Sequence, residues 1–123
     1  MAVIGAPDGF ERTLAPLPDD VSVRSHLRGT FDVIVFFTRK RADLNRRLDK
    51  LARALDPAGG LWIAWPKGSS ALETNLTENT VRDVGLPPFN RSLVDNKVCA
   101  IDDDWSGLRF VVRQDKRADW PRA

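Results

Sequence analysis

Phe31-Asp32-Val33-Ile34-Val35-Phe36-Phe37 and Leu61-Trp62-Ile63-Ala64-Trp65 carry apolar side chains on both of their alternating faces, with Asp32 the one polar residue in either run. A strand that is apolar on both faces needs cover on both, which predicts two interior strands rather than solvated edges. Between them, Leu44, Leu48, Leu51, Ala52 and Leu55 follow one another at spacings of four, three, one and three, along one side of a helix that starts near Ala42. Arg41, Arg46, Arg47, Asp49, Lys50 and Arg53 occupy much of the remaining surface. Asp56-Pro57-Ala58-Gly59-Gly60 predicts the stop of that helix, because proline resists continuation and glycine accepts left-handed backbone angles. A strand, a helix of roughly 14 residues and a second strand make the length of a βαβ unit, whose crossover is expected to be right-handed.

Upstream of this unit, Val3-Ile4 followed by Gly5-Ala6-Pro7-Asp8-Gly9-Phe10 predicts a strand end entering a tight loop. The strand is short, so either the chain opens partway through it or upstream sequence that completes it is absent. Pro16 and Pro18 limit any helical turn over Phe10 to Leu17, and Val21-Ser22-Val23-Arg24 alternates as a short strand would. Downstream, Thr77 is placed to cap a second helix, Glu78 suits the positive end of its first turn, and Leu76 is positioned to pack on Val81. That helix is expected to end near Gly85, before Pro87-Pro88. Leu93 to Ile101 and Leu108 to Val112, linked through Asp102-Asp103-Asp104-Trp105-Ser106-Gly107, suggest an antiparallel hairpin. The expected core is Val33, Val35, Leu44, Leu48, Leu51, Leu55, Ile63, Val81, Val98, Phe110 and Val112. Residues 1–113 then form one domain, and the polar stretch 114–123 a mobile tail.

Composition agrees with a single packed domain: the chain has 123 residues, 42% of them hydrophobic. Its formal charge of +2 arises from 19 basic and 17 acidic residues, a near balance that argues against nucleic acid as a partner. No apolar run approaches the roughly 20 residues of a membrane span, and the first residues lack the basic and apolar regions of a secretory leader, so a cytoplasmic location is expected. Cys99, within Val98-Cys99-Ala100-Ile101, is expected to serve as a small hydrophobe, and with no second cysteine an internal disulfide is impossible. The lone His26 has no neighbours that make a base triad. Asp102-Asp103-Asp104 lacks the ordered spacing of a calcium loop, so no metal site is expected. The basic run Arg39 to Arg53 reads as a solvated helix face interrupted by Asp43 and Asp49.

An open parallel sheet binds ligands in the crevice beyond the carboxyl ends of its strands. Here that geometry would gather Gly5, Pro7, Asp8, Gly9 and Phe10 from the first loop, Thr38 from the second, and Trp65, Lys67, Ser69 and Ser70 from the third. Lys67 offers a point charge, the hydroxyls offer hydrogen bonds, and Trp65 offers either an aromatic wall or core packing. Trp62 is expected to cover the opposite sheet face.

Phe31-Asp32-Val33-Ile34 before the helix, and Leu55-Asp56-Pro57-Ala58-Gly59-Gly60-Leu61 after it, resemble the corresponding stretches of class I S-adenosylmethionine-dependent methyltransferases. The resemblance covers roughly residues 31–113, including the last helix and the reversed final hairpin. More closely, Gly5 to Phe10, Trp65-Pro66-Lys67, Asp95 to Ala100 and Trp105-Ser106-Gly107-Leu108 look like motifs of an uncharacterised bacterial family of small domains of unknown function. The wider resemblance implies an α/β fold: a three-layer Rossmann-like sandwich, its sheet mostly parallel with a C-terminal antiparallel hairpin, and its N-terminal half reduced. In those methyltransferases a glycine-rich loop after the first strand approaches the cofactor, and an acidic residue after the second holds the ribose. Gly5 to Gly9 depart from the usual glycine spacing, and Arg24-Ser25-His26 supply no carboxylate. The expectation is therefore a non-catalytic binding or scaffold domain without a cofactor. The alternatives are an S-adenosylmethionine-dependent methyltransferase of unknown substrate, and a module that associates with itself or with a protein partner.

Overall fold

The helix begins at Arg41, immediately after the extended Lys40, and buries Leu44, Leu48, Leu51 and Ala52 on one stripe. The computed structural model describes residues 1–6, 28–67, 74–85, 93–101 and 104–114. Its elements are β1 (Ala2–Ile4), β2 (Phe31–Phe37), α1 (Arg41–Arg53), β3 (Leu55–Pro66), α2 (Glu78–Gly85), β4 (Leu93–Ala100) and β5 (Trp105–Val112). They make an α/β domain with a mixed sheet and few helices. The short strand of Val21 to Val23 expected from the sequence, together with His26, Asp102, Asp103 and the tail beyond residue 114, lies outside the described residues.

The five strands lie in the order β1-β2-β3-β5-β4. β1, β2 and β3 are parallel, whereas β5 runs antiparallel to both β3 and β4. Among the described residues the sheet is thus mixed, with two parallel and two antiparallel pairings, rather than mostly parallel. A hairpin that inserts its second strand beside β3 contributes two antiparallel pairings, because β5 meets opposite neighbours on both of its sides.

Two core clusters lie on opposite faces of this sheet. Ile34, Phe36, Leu61, Ile63, Trp65, Leu93, Leu108, Phe110 and Val112 pack with Leu44, Leu48 and Leu51 of α1 and Val81 of α2. Val3, Val35, Phe37, Ala64 and Trp105 form the other cluster, with Val33, Trp62 and Ile101 packed partly buried against it. Trp65 and Trp62 accordingly occupy opposite faces, as strand alternation requires. Among the described residues both helices lie on the first face.

Three local expectations need correction. Leu55 does not continue the helix: Ala54 closes α1, and Leu55 opens β3 opposite Phe31. The next paired residue of β3 is Gly60, opposite Val33, so the segment around Pro57 bulges out within the strand. Asp56 Oδ1 accepts the Ala58 N–H at 2.8 Å, and a Cβ on Gly59 would collide with the backbone carbonyl of Asp32, which explains the glycine. Trp105 opens β5 and is buried edge-to-face on Phe37, with ring centroids 5.1 Å apart, where the sequence suggested a polar link. Val98, expected in the core, is 46% exposed, because it stands on the edge strand β4 beyond the irregular pairing at Asp95 to Lys97.

α2 starts as its sequence predicts. The Thr80 N–H donates to Thr77 Oγ1 at 3.2 Å, and Leu76 and Val81 are both buried in the helix-side core. Arg82 ties this helix to β4, with Nε donating to Asp95 at 2.9 Å and Nη2 to Glu78 at 3.1 Å. Those two carboxylates hold the guanidinium pKa above its ordinary value, the Asp95 hydrogen bond contributing most.

Candidate functional site

β1 and β2 end side by side, and the chain turns at each end to leave a crevice between them. Gly5 follows β1 with φ +70, and a Cβ there would lie 2.8 Å from the Phe37 carbonyl oxygen. Only glycine lets the two strand ends approach so closely. After β2, the Thr38 N–H donates to the Ala64 carbonyl at 3.0 Å, which carries the sheet pairing one residue further and buries Thr38 almost completely.

The cavity above these strand ends has a volume of about 720 Å³. Ile4, Gly5, Ala6, Phe36, Phe37 and Thr38 line its floor, and Trp105 reaches it from β5. Its wall is charged: Arg39 and Lys40 come from the loop after β2, and Asp43, Arg46 and Arg47 from the first two turns of α1. Arg46 is held to Asp43 at 2.8 Å, and Arg47 lies over the Phe36 ring at 5.9 Å from its centroid. The positive end of the α1 dipole faces the same direction as this wall's loop, so charge and backbone agree in sign.

A distant segment holds that loop in place. Thr74 Oγ1 donates to the Arg39 carbonyl at 2.9 Å, the Asn75 N–H donates to the same carbonyl at 3.3 Å, and Asn75 Oδ1 accepts the Arg41 N–H at 2.8 Å. Asn75 thereby performs for α1 what an N-cap side chain would, since Lys40 at the cap position makes no side-chain cap bond.

Of the residues predicted from sequence, the structure brings Gly5 and Thr38 together at the cavity. Trp65 is buried in the helix-side core. Lys67 is half-buried at the end of β3, and its N–H donates to the Asp104 carbonyl at 2.8 Å. Pro7, Asp8, Gly9, Phe10, Ser69 and Ser70 lie outside the described residues. In the sequence Arg46 and Arg47 read as part of a solvated helix face, although Asp43, Arg46 and Arg47 recur at the three- and four-residue spacing that puts them on one side of α1. Nothing local to Thr74 and Asn75 signals their role, because their partners are 35 and 34 residues away.

Among the described residues no group of three histidine, cysteine or acidic side chains could hold a metal ion, and no helix is long and apolar enough to cross a membrane. No family model matches the chain, and no curated protein matches it. Among solved structures, a LepI variant in complex with SAH and a substrate analogue is similar, with a TM-score of 0.51 and 10% sequence identity over 92% of this chain. The chain spans 36% of the length of that structure's chain. At this identity the likeness is one of fold alone, to a loosely methyltransferase-like sheet, with few helices among the described residues. The resemblance shown is this wide one, not one to a particular family of unknown function.

Proposed function

We propose that this chain is a non-catalytic binding domain built on a methyltransferase-like sheet, and that the crevice at the carboxyl ends of β1 and β2 is its site. The observation that carries this reading is the cavity itself, which is of small-molecule size and opens where ligands of parallel α/β sheets bind. Its described lining includes one acidic side chain, Asp43, already committed to Arg46, and includes no histidine or cysteine. That inventory suits holding a ligand better than moving protons or attacking a substrate. On this reading the fold is a reduced Rossmann-like sandwich ending near residue 113, and Pro7, Asp8, Gly9, Phe10, Lys67, Ser69 and Ser70 extend the ligand contacts from the flanking loops.

A second reading, S-adenosylmethionine-dependent methyl transfer, draws support from the SAH bound in the similar structure. Methyl transfer needs little more than an aligned donor and acceptor, so a missing base does not remove it. The two readings separate in one experiment on the full chain. Calorimetric titration with S-adenosylmethionine, followed by an assay for transferred label, is expected to show no methyl transfer; saturable binding with transfer would overturn the non-catalytic reading. A screen of small metabolites by amide NMR is expected to find ligands that move the resonances of Gly5, Thr38 and Lys40. A screen that moves none of them would remove the crevice as a binding site.

A further inference from the structure

We infer that the crevice selects a small molecule bearing at least two phosphate charges, an inference that rests on the crevice being this chain's binding site. The basic residues between positions 39 and 53 are not one uniform solvated face. Arg39, Lys40, Arg46 and Arg47 converge on the cavity, while Arg53 is paired with Asp49 at 3.0 Å on the second half of α1. Among the described residues Arg39 and Lys40 have no carboxylate partner, and the single lining carboxylate is occupied by Arg46. The wall is therefore a net positive concavity, in which field lines from several cations add at one place.

That charge selects among ligands. A sulfonium cation would be repelled by the described part of this wall. A phosphate finds forked guanidinium donors, which match its oxygens in pairs. The cavity, at about 720 Å³, is much larger than one phosphate needs and lies within the range of nucleotide-sized ligands.

Preorganisation adds to the argument. Arg39 and Lys40 sit on a loop whose backbone is fixed by Thr74 and Asn75, so less of the loop's freedom remains to be lost on binding. The side chains of Arg39, Lys40, Arg46 and Arg47 are exposed, and each exposed charge contact is individually weak. Affinity is expected to depend on several cations together and to fall steeply with salt.

The test uses the full chain with four probes: ADP, inorganic pyrophosphate, adenosine and S-adenosylhomocysteine. ADP and pyrophosphate are expected to move the amides of Gly5, Thr38 and Lys40 saturably, and adenosine is expected not to. The double variant Arg39→Gln/Lys40→Gln should weaken ADP binding about tenfold or more, whereas Arg53→Gln, outside the cavity, should leave it unchanged. Urea midpoints close to that of the unaltered chain would show that both variants fold. Binding of S-adenosylhomocysteine at these amides without ADP or pyrophosphate would overturn the phosphate inference and leave the binding reading standing. ADP shifts confined to other residues, or ADP affinity unchanged in the double variant, would also overturn it. If neither these probes nor the metabolite screen moves the crevice amides, the binding reading falls with it.

Discussion

The two faces of the sheet are both apolar, yet among the described residues they are covered differently. On one, α1 and α2 insert Leu44, Leu48, Leu51 and Val81 between strand residues, and the interior is sealed. On the other, Val3, Val35, Phe37, Ala64 and Trp105 are buried near the upper strand ends, while Val33, Trp62 and Ile101 stay partly exposed. Among the described residues the cover there comes from side chains lying on the sheet: Trp62 and Ile101 approach across Gly107, and Arg109 lies across Gly60. Helices seal a face because their stripes interdigitate with the strands, whereas long side chains folded over glycines only shade it. The two faces should therefore respond unequally to the same kind of damage.

The largest difference is expected from truncation. Leu51→Ala, which leaves a cavity beneath α1, should destabilise the chain by about 3 kcal/mol, and Trp62→Ala on the other face by about 1.5 kcal/mol despite removing a larger side chain. Urea denaturation measures both, and equal losses would mean the second face is sealed as tightly as the first. Addition of a methyl group tests the glycines in the same way. Gly59→Ala drives a Cβ into the Asp32 backbone and should cost about 2 kcal/mol or more. Gly107→Ala meets chiefly the end of the Ile101 side chain, 2.9 Å away, which can rotate, and should cost about 1 kcal/mol.

Smaller effects are expected where the helix face meets the sheet edge. Asp95→Asn removes the charge that orients Arg82 between α2 and β4. Both side chains are about 30% exposed, so the loss should be about 1 kcal/mol after solvent screening, with faster amide exchange in α2 as a second readout. Val98→Thr, on the exposed edge, should shift the urea midpoint by the equivalent of about 0.5 kcal/mol or less. A large loss at Val98 would show that β4 is covered after all.

Much of this architecture was legible from local patterns. Runs apolar on both faces specified β2 and the latter part of β3, the leucine spacing specified α1, and Leu76-Thr77-Glu78 specified how α2 starts. Each signal concerns residues within one or two turns of one another, where backbone geometry fixes which side chains share a face. The crevice was legible only in part: Gly5 and Thr38 could be placed from the strand ends, but the basic wall could not be told from a solvated helix.

By itself, the sequence determined β2, α1, the latter part of β3 and the start of α2, because side-chain period and end-capping chemistry act over a few residues. Tertiary structure alone decided that both described helices share a face, that Trp105 joins the core, that Val98 does not, and that Asn75 caps α1 from 34 residues away. Those outcomes depend on strand order and on the irregular pairings at Asp56–Gly59 and Asp95–Lys97. A change of register by one residue exchanges inside for outside, and only contacts between distant strands set the register.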